Sequence, residues 1–248
     1  MGQVTVRFLG CGDAFGSGGR FQTCFLVRSD TVRFLIDCGA SSLIAMNRFG
    51  VDPAEIDLIL LSHLHGDHFG GLPFFLLDAQ ILRKRTRPLV IAGPPGLRKR
   101  LTDAMEVLFP DSSRIQSGFP RELIELRPER PQALGGITVT PYVVEHPSGD
   151  PPFALRIECG GKIITYSGDT GWTDALVEAA RGADLFIVEA YLFDKKTSLH
   201  MDLQTLTAHL GDLSARRVIL THLGADMLAR ASGLPYHCAE DGATVVVG

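Results

Sequence analysis

The feature that most restricts this chain is a run of four apolar residues, Leu58-Ile59-Leu60-Leu61, that passes through Ser62 into His63-Leu64-His65-Gly66-Asp67-His68. Such a run reads as a strand buried on both faces, the kind found inside an α/β sheet. Three imidazoles and a carboxylate follow it at once. The intervening glycine lets the backbone turn, so two imidazoles can be aimed one way and an imidazole plus a carboxylate another. Nitrogen and carboxylate ligands of this type suit zinc, and also manganese or iron. A merely solvated loop of this composition would rarely link a buried strand to the glycine-rich apolar segment Phe69-Gly70-Gly71-Leu72. Metal binding is the first expectation.

Other apolar, β-branched runs recur through both halves. Strands are expected over 4–9, 23–27, 33–37, 57–62, 88–92, 123–126, 137–144, 154–158, 162–167, 185–189, 217–221 and 244–247. Helices are expected over 42–49, after the histidine-rich segment, and over 96–108, 174–181 and 203–213. Strands punctuated by helices in both halves predict an α/β fold in which two sheets lie inside and helices outside, an αβ/βα four-layer sandwich. No tandem repeat and no linker divides the chain, so residues 1–248 read as one domain. At 248 residues with 45% hydrophobic content, the chain can bury a substantial core.

Composition narrows the partners. Lysine and arginine number 24 against 28 acidic residues, a formal charge of -4, which argues against a general nucleic-acid backbone binder. Two basic clusters, Arg83-Lys84-Arg85 with Arg87 and Arg98-Lys99-Arg100, read as solvated helix faces, because no aromatic residues interleave with them. The five cysteines are scattered, contain no CxxC pair, and read as free buried thiols of a reduced, cytoplasmic protein. The start of the chain lacks a signal-peptide pattern, and no apolar stretch approaches a membrane span. The tract Gly16-Ser17-Gly18-Gly19 lacks the Lys-Ser/Thr ending of a phosphate-binding loop and reads as a mobile loop near the site.

Three later strand ends carry chemistry of the same kind. His146 follows Val143-Val144-Glu145, Asp169 follows Tyr166-Ser167-Gly168, and His222 follows Leu220-Thr221. A single histidine beyond a strand is more often structural. Their recurrence, in this order, after an HxHxDH segment is what gives them weight.

From its first strand to its last residues the chain resembles the metallo-β-lactamase superfamily, whose HxHxDH, His, Asp, His pattern is matched by His63, His65, Asp67, His68, His146, Asp169 and His222. The resemblance implies that His63, His65 and His146 hold one divalent metal ion, that Asp67, His68 and His222 hold a second, and that Asp169 bridges both. Asp37, in Leu35-Ile36-Asp37-Cys38-Gly39, matches an early aspartate that supports the ligands from behind. Two zinc ions are the expected cofactors, with manganese or iron as alternatives, and Asp67 belongs to the catalytic as well as the metal set. The implied chemistry is hydrolysis by a metal-activated hydroxide, with the metals neutralising charge on a phosphoryl or carbonyl oxygen.

Within the superfamily, β-lactamases place a cysteine at the position of Asp169, and di-iron members a glutamate at that of His65; this chain has neither. Leu9-Gly10-Cys11-Gly12-Asp13-Ala14-Phe15 is similar to the opening of the ribonuclease Z-like branch. In that branch a protruding tRNA-binding arm lies between the third motif and the bridging aspartate. Here the interval between His146 and Asp169 is filled by two expected strands, and Val188-Glu189-Ala190-Tyr191 lacks the histidine that opens the branch's HEAT motif. A tRNA substrate is thus disfavoured.

His200-Met201-Asp202-Leu203, Arg217-Val218-Ile219-Leu220-Thr221-His222 and Glu240-Asp241-Gly242 resemble the small phosphodiesterases that open cyclic ribose phosphates. Those enzymes often carry a cysteine-rich extra zinc site near the N-terminus, which Cys11 and Cys24 alone cannot form. This resemblance makes His200 a general acid for the leaving group; the alternative is a histidine bonded to its own helix start. The expected function is hydrolysis of small phosphodiesters or cyclic nucleotide-like molecules. Ester, thioester or lactone hydrolysis is the alternative, with Tyr166 or Tyr191 polarising a carbonyl, and a scaffold without catalysis is a third reading. Homodimers are common in the branch.

Overall fold

The computed structural model describes residues 2–248. One seven-stranded sheet contains β1 (Val4–Gly10), β2 (Cys24–Arg28), β3 (Arg33–Ile36), β4 (Leu58–Leu60), β5 (Leu89–Gly93), β6 (Arg121–Glu125) and β14 (Thr244–Val247). A second contains β7 (Gln132–Leu134), β8 (Ile137–Val143), β9 (Phe153–Cys159), β10 (Lys162–Tyr166), β11 (Leu185–Glu189), β12 (Val218–Thr221) and β13 (His237–Cys238). Their orders are β14-β1-β2-β3-β4-β5-β6 and β13-β12-β11-β10-β9-β8-β7. The chain therefore fills one sheet, then the other, and returns to the first as β14 pairs antiparallel with β1, Val4 opposite Val247.

The sheets face each other across a core in which Phe8, Phe25 and Phe34 meet Leu155, Ile164, Tyr166 and Ile187. Phe8, Phe25 and Tyr166 pack edge to face with ring centroids 5.1 and 5.2 Å apart. Among the described residues the α-helices are α1 (Ser42–Arg48), α2 (Gly66–Phe69), α3 (Leu72–Leu77), α4 (Leu97–Leu108), α5 (Ala175–Ala179), α6 (Leu203–His209) and α7 (Ala225–Leu228). Met46 of α1, Phe75 of α3 and Leu101 of α4 cover the outer face of the first sheet, against Leu26, Leu35 and Ile59. Leu176 of α5, Leu206 of α6 and Met227 of α7 cover the second, against Phe186, Val188 and Leu220. Burial on both faces explains why β4 and β11 are apolar throughout. The layers are those of the αβ/βα sandwich expected from the sequence.

Three short elements escape a sequence reading: β7, β13 and α7, each too short to establish a period. The helix expected over 174–181 is only Ala175–Ala179, and that over 203–213 ends at His209 before a 3₁₀ turn at Leu210–Asp212. The first basic cluster is solvated at Arg83, Lys84 and Arg87 but not at Arg85. Arg85 is 4% exposed, and its guanidinium donates to the carbonyls of Ala54, Ile56, Arg87 and Pro88. Those carbonyls lie in turns where no strand supplies a donor, so a buried guanidinium satisfies them. Arg83 pairs with Asp52 and Asp78, and Arg87 with Asp57. Arg85 alone is an internal brace; Arg83, Lys84 and Arg87 remain exposed.

Candidate metal centre

Five of the seven residues singled out as ligands stand just beyond the end of a strand, and the sandwich brings those ends together. β4 delivers His63 and His65, β8 delivers His146, β10 delivers Asp169 and β12 delivers His222. Asp67 and His68 sit within the single turn of α2, which begins at Gly66, so the histidine-rich segment turns helical before it ends. Gly168 permits the approach of Asp169. Its φ is +63°, and a Cβ there would lie 2.6 Å from the carbonyl oxygen of Phe153.

The seven residues form two groups that touch. Ligand atoms of His63, His65 and His146 all lie within 4.8 Å of one another, and so do those of Asp67, His68, Asp169 and His222. Asp169 reaches both groups. Its Oδ1 lies 3.2 Å from His68 Nε2, while its Oδ2 lies 3.3 Å from His222 Nε2 and 3.9 Å from His63 Nε2. In the first group His65 Nδ1 and His146 Nε2 stand 3.1 Å apart.

The rings are fixed from behind. Asp37 Oδ2 receives His68 Nδ1 at 2.7 Å and the Ser62 hydroxyl at 2.8 Å, and Asp37 Oδ1 receives the Ser62 N–H at 2.7 Å. His146 Nδ1 donates to the carbonyl of Leu199 at 2.7 Å, which directs Nε2 at the cluster. His63 Nδ1 lies 3.1 Å from the Ser62 hydroxyl. The backbone N–H of His222 is tied to the carbonyl of Cys11 at 3.1 Å, and Asp241 holds that segment through Cys11 N at 3.0 Å and Phe21 N at 2.7 Å. Asp37 and His222 both adopt left-handed backbone, φ 59° and 56°, a strain of the sort found where a site over-determines geometry.

Electrostatics fit a cluster that could hold cations. Burial pushes the Asp169 carboxyl upward, but His222, His68 and His63 outweigh it and hold it well below the usual carboxylate range. Burial drives the His63 imidazole well below its ordinary value. Burial pushes His68 in the same direction, yet the carboxylates of Asp169, Asp67 and Asp37 carry it well above. His63 Nε2, Asp67 Oδ2, His68 Nε2 and Asp169 Oδ1 are buried, and among the described residues none makes a well-aligned hydrogen bond, although His68 Nε2 stands 3.2 Å from both carboxylates. Buried polar atoms seldom remain unpaired, and orphans converging from four side chains fit a bound cation. The donor set, imidazole nitrogen and carboxylate oxygen, is the one zinc, manganese and iron accept.

The centre forms the floor of a cavity of about 230 Å³, lined also by Ala14, Phe15, Pro147, Tyr191, Leu199 and His200. His200 is bonded not to its own helix start but to Glu189, its Nδ1 2.9 Å from Oε2. Burial and the charge of Asp169 push the Glu189 carboxyl up to about 7, against the hydrogen bond from His200. His200 itself titrates above its ordinary value; burial opposes this, and the Glu189 hydrogen bond and charge outweigh it. The partnership with Glu189 is a feature a sequence reading misses. The available signal was its place at the end of the apolar run Leu185-Phe186-Ile187-Val188, the position that marks the other site residues. Tyr191 packs on His200 with ring centroids 4.7 Å apart, whereas Tyr166 is buried in the inter-sheet core and does not line the cavity.

The model of the β-lactamase superfamily domain matches residues 32–223, the stretch that contains every residue of the cluster. The chain belongs to the metallo-β-lactamase superfamily. An uncharacterized protein of Mycobacterium leprae is 33% identical over 231 residues, covering 89% of this chain and 78% of its own. The human tRNase Z short form shares 26% identity, with a TM-score of 0.79 over 98% of this chain and 99% of its own. The metallo-β-lactamase fold protein YhfI of Bacillus subtilis, at 22% identity, superposes with a TM-score of 0.80 over 99% and 100%. Superfamily membership accounts for the sandwich and the strand-end cluster; it leaves the substrate to the residues of the cavity.

Proposed function

We propose that this protein is a metal-dependent phosphodiesterase acting on small phosphodiesters of the cyclic-nucleotide kind. The observation that carries the reading is His200, which lines the cavity above the cluster with Nδ1 bonded to Glu189. That bond leaves Nε2 as the free ring nitrogen. His63, His65 and His146 would hold one divalent ion, Asp67, His68 and His222 a second, and Asp169 would touch both. Such ions, zinc or alternatively manganese or iron, supply Lewis-acid stabilisation of charge on a phosphoryl oxygen and lower the pKa of water.

The protein's own part is positional and protonic. Asp37 and the Leu199 carbonyl fix the tautomers of His68 and His146, so their Nε2 atoms face inward as acceptors. As the bond from phosphorus to the leaving oxygen breaks and a water oxygen takes its place, His200 gives the proton on Nε2 to the departing alkoxide. Glu189 retains Nδ1–H throughout and stabilises the charged ring. It is itself held by the N–H of Met201 at 3.3 Å and by that of Thr170. Two further features favour a small substrate over tRNA. β9 and β10 form a tight hairpin between His146 and Asp169, and no Lys or Arg lines the cavity.

Asp169→Ala should abolish both metal retention and hydrolysis of bis(p-nitrophenyl) phosphate; full activity of that variant refutes the assignment. His200→Ala should slow alkyl phosphodiesters far more than nitrophenyl esters, whose leaving groups need no proton. Equal slowing removes the general-acid role. Tyr191, with its ring in the cavity, supports a second reading as an ester, thioester or lactone hydrolase, its hydroxyl polarising a carbonyl. Lactone turnover without phosphodiester turnover reverses the order.

A further inference from the structure

Among the described residues Phe15 is the most exposed large hydrophobic side chain, at 85%, yet it lines the cavity whose floor is the histidine and aspartate cluster. A single exposed apolar side chain is ordinary on a surface, but this ring lines the cavity, where a bound ligand can cover it. The loop beneath it is built to hold it there. Asp13, 1% exposed, accepts the backbone N–H of Phe15 at 3.2 Å, the N–H of Ser17 at 2.8 Å and the Ser17 hydroxyl at 2.6 Å. The Gln22 amide donates to the carbonyl of Ala14 at 3.1 Å. Beyond Phe15, Gly18 has φ +66° and packs so closely on Leu228 that a Cβ would lie 2.9 Å from its Cδ1. These ties fix the backbone on both sides of an unpartnered ring.

The remainder of the cavity indicates what covers that ring. Its floor is imidazole and carboxylate; its mouth is Ala14, Phe15, Pro147 and Leu199, the last 45% exposed. With no Lys or Arg in the lining, nothing there neutralises phosphates beyond the one at the metal cluster. Such a lining suits an occupant with a single phosphodiester at the floor and an apolar group at the mouth. A base presents a π-face to an aromatic ring, and such stacking is worth about 1–3 kcal/mol for any base. We propose that Phe15 is a specificity-determining platform on which the nucleobase of a nucleoside monophosphodiester stacks while its phosphate meets the metal cluster. This rests on the phosphodiesterase reading for the phosphate end and on the loop geometry for the base end.

The test compares zinc-loaded native protein with Phe15→Ala, Phe15→Leu and Phe15→Trp on two substrates: adenosine 2′,3′-cyclic phosphate and methyl riboside 2′,3′-cyclic phosphate, which lacks a base. Native protein should prefer the adenosine substrate in kcat/KM by roughly tenfold or more. Phe15→Ala and Phe15→Leu should erase most of that preference, chiefly through KM, and Phe15→Trp should keep it. Equal loss on both substrates, rescue by leucine, or no native preference overturns the platform. Dialysis binding of adenosine 5′-monophosphate against ribose 5-phosphate separates the two claims. If neither cyclic phosphate is turned over but the adenosine ligand binds more tightly and Phe15→Ala abolishes the difference, the platform stands and the phosphodiesterase reading falls. If both cyclic phosphates are turned over and neither preference appears, the platform falls and the phosphodiesterase reading stands; if neither is turned over and no preference appears, both fall.

Discussion

Asp37→Asn separates orientation of a ligand from construction of the fold. Asp37 is fully buried, and its two oxygens accept three hydrogen bonds of 2.7–2.8 Å, from Ser62 N–H, the Ser62 hydroxyl and His68 Nδ1. Asparagine has the same shape and tolerates the left-handed backbone at φ 59° better than most residues. It has only one acceptor oxygen. If that oxygen faces Ser62 N–H, the amide NH₂ confronts His68 Nδ1, which must then give up its proton. The neutral ring moves that proton to Nε2, the atom 3.2 Å from Asp169 Oδ1, and loses the lone pair a metal needs. In the flipped orientation the NH₂ meets the Ser62 N–H instead, leaving buried donors unpaired at about 1–3 kcal/mol. The first arrangement keeps the fold and sacrifices the ligand, so metal affinity should fall about 10- to 100-fold. Competition between the apo-variant and a chromophoric zinc indicator measures this, with the apo-protein melting temperature as control for folding. Asp37→Ala, which removes every acceptor, should lower both affinity and apo-stability. Native zinc affinity in a folded Asp37→Asn protein refutes the tautomer argument.

Buried, unpaired donor atoms of the cluster should make zinc strongly stabilising: at a thousandfold over Kd the gain is about 4 kcal/mol, or roughly 8–16 °C in Tm for a chain of this size. Scanning calorimetry with zinc and then with a chelator checks it; an unmoved Tm refutes metal binding at these residues. Tyr166 is fully buried and its hydroxyl has no partner, so Tyr166→Phe should leave stability within about 1 kcal/mol of native or raise it. Urea unfolding reads the difference, and a loss beyond about 2 kcal/mol would instead reveal a buried water on that oxygen. Of the five cysteines, Cys238 is part-exposed and the other four are buried, with burial pushing Cys24 up to about 12. A disulfide reagent at pH 8 should therefore titrate one thiol in the native protein and all five after unfolding; prompt reaction of a second thiol would refute the packing around it.

What a sequence reveals here depends on whether a signal is local in the chain. The sandwich is legible because β4 and β11 are apolar without interruption, and a strand buried on both faces needs layers on both sides. The cluster is legible for a related reason. A hydrophobic run that stops at a histidine or aspartate places that side chain at the rim of a sheet, and parallel neighbours such as β10, β11 and β12 bring their ends to one rim. Glu189 obeys the same rule, standing at the end of β11. Arg85 is different: nothing local distinguishes a guanidinium that will be buried under four carbonyls from its exposed neighbours. The mouth of the cavity is harder still. Ala14, Phe15, Pro147 and Leu199 come from three separated segments, and each is an ordinary loop residue until the sheets close. Ligands at strand ends are set by the architecture, whereas the residues that choose among substrates are gathered by loops whose meeting point no periodicity encodes. That difference is why the metal chemistry could be argued from motif spacing, while the case for a stacked base needed the exposed ring of Phe15 and the hydrogen bonds of Asp13 beneath it.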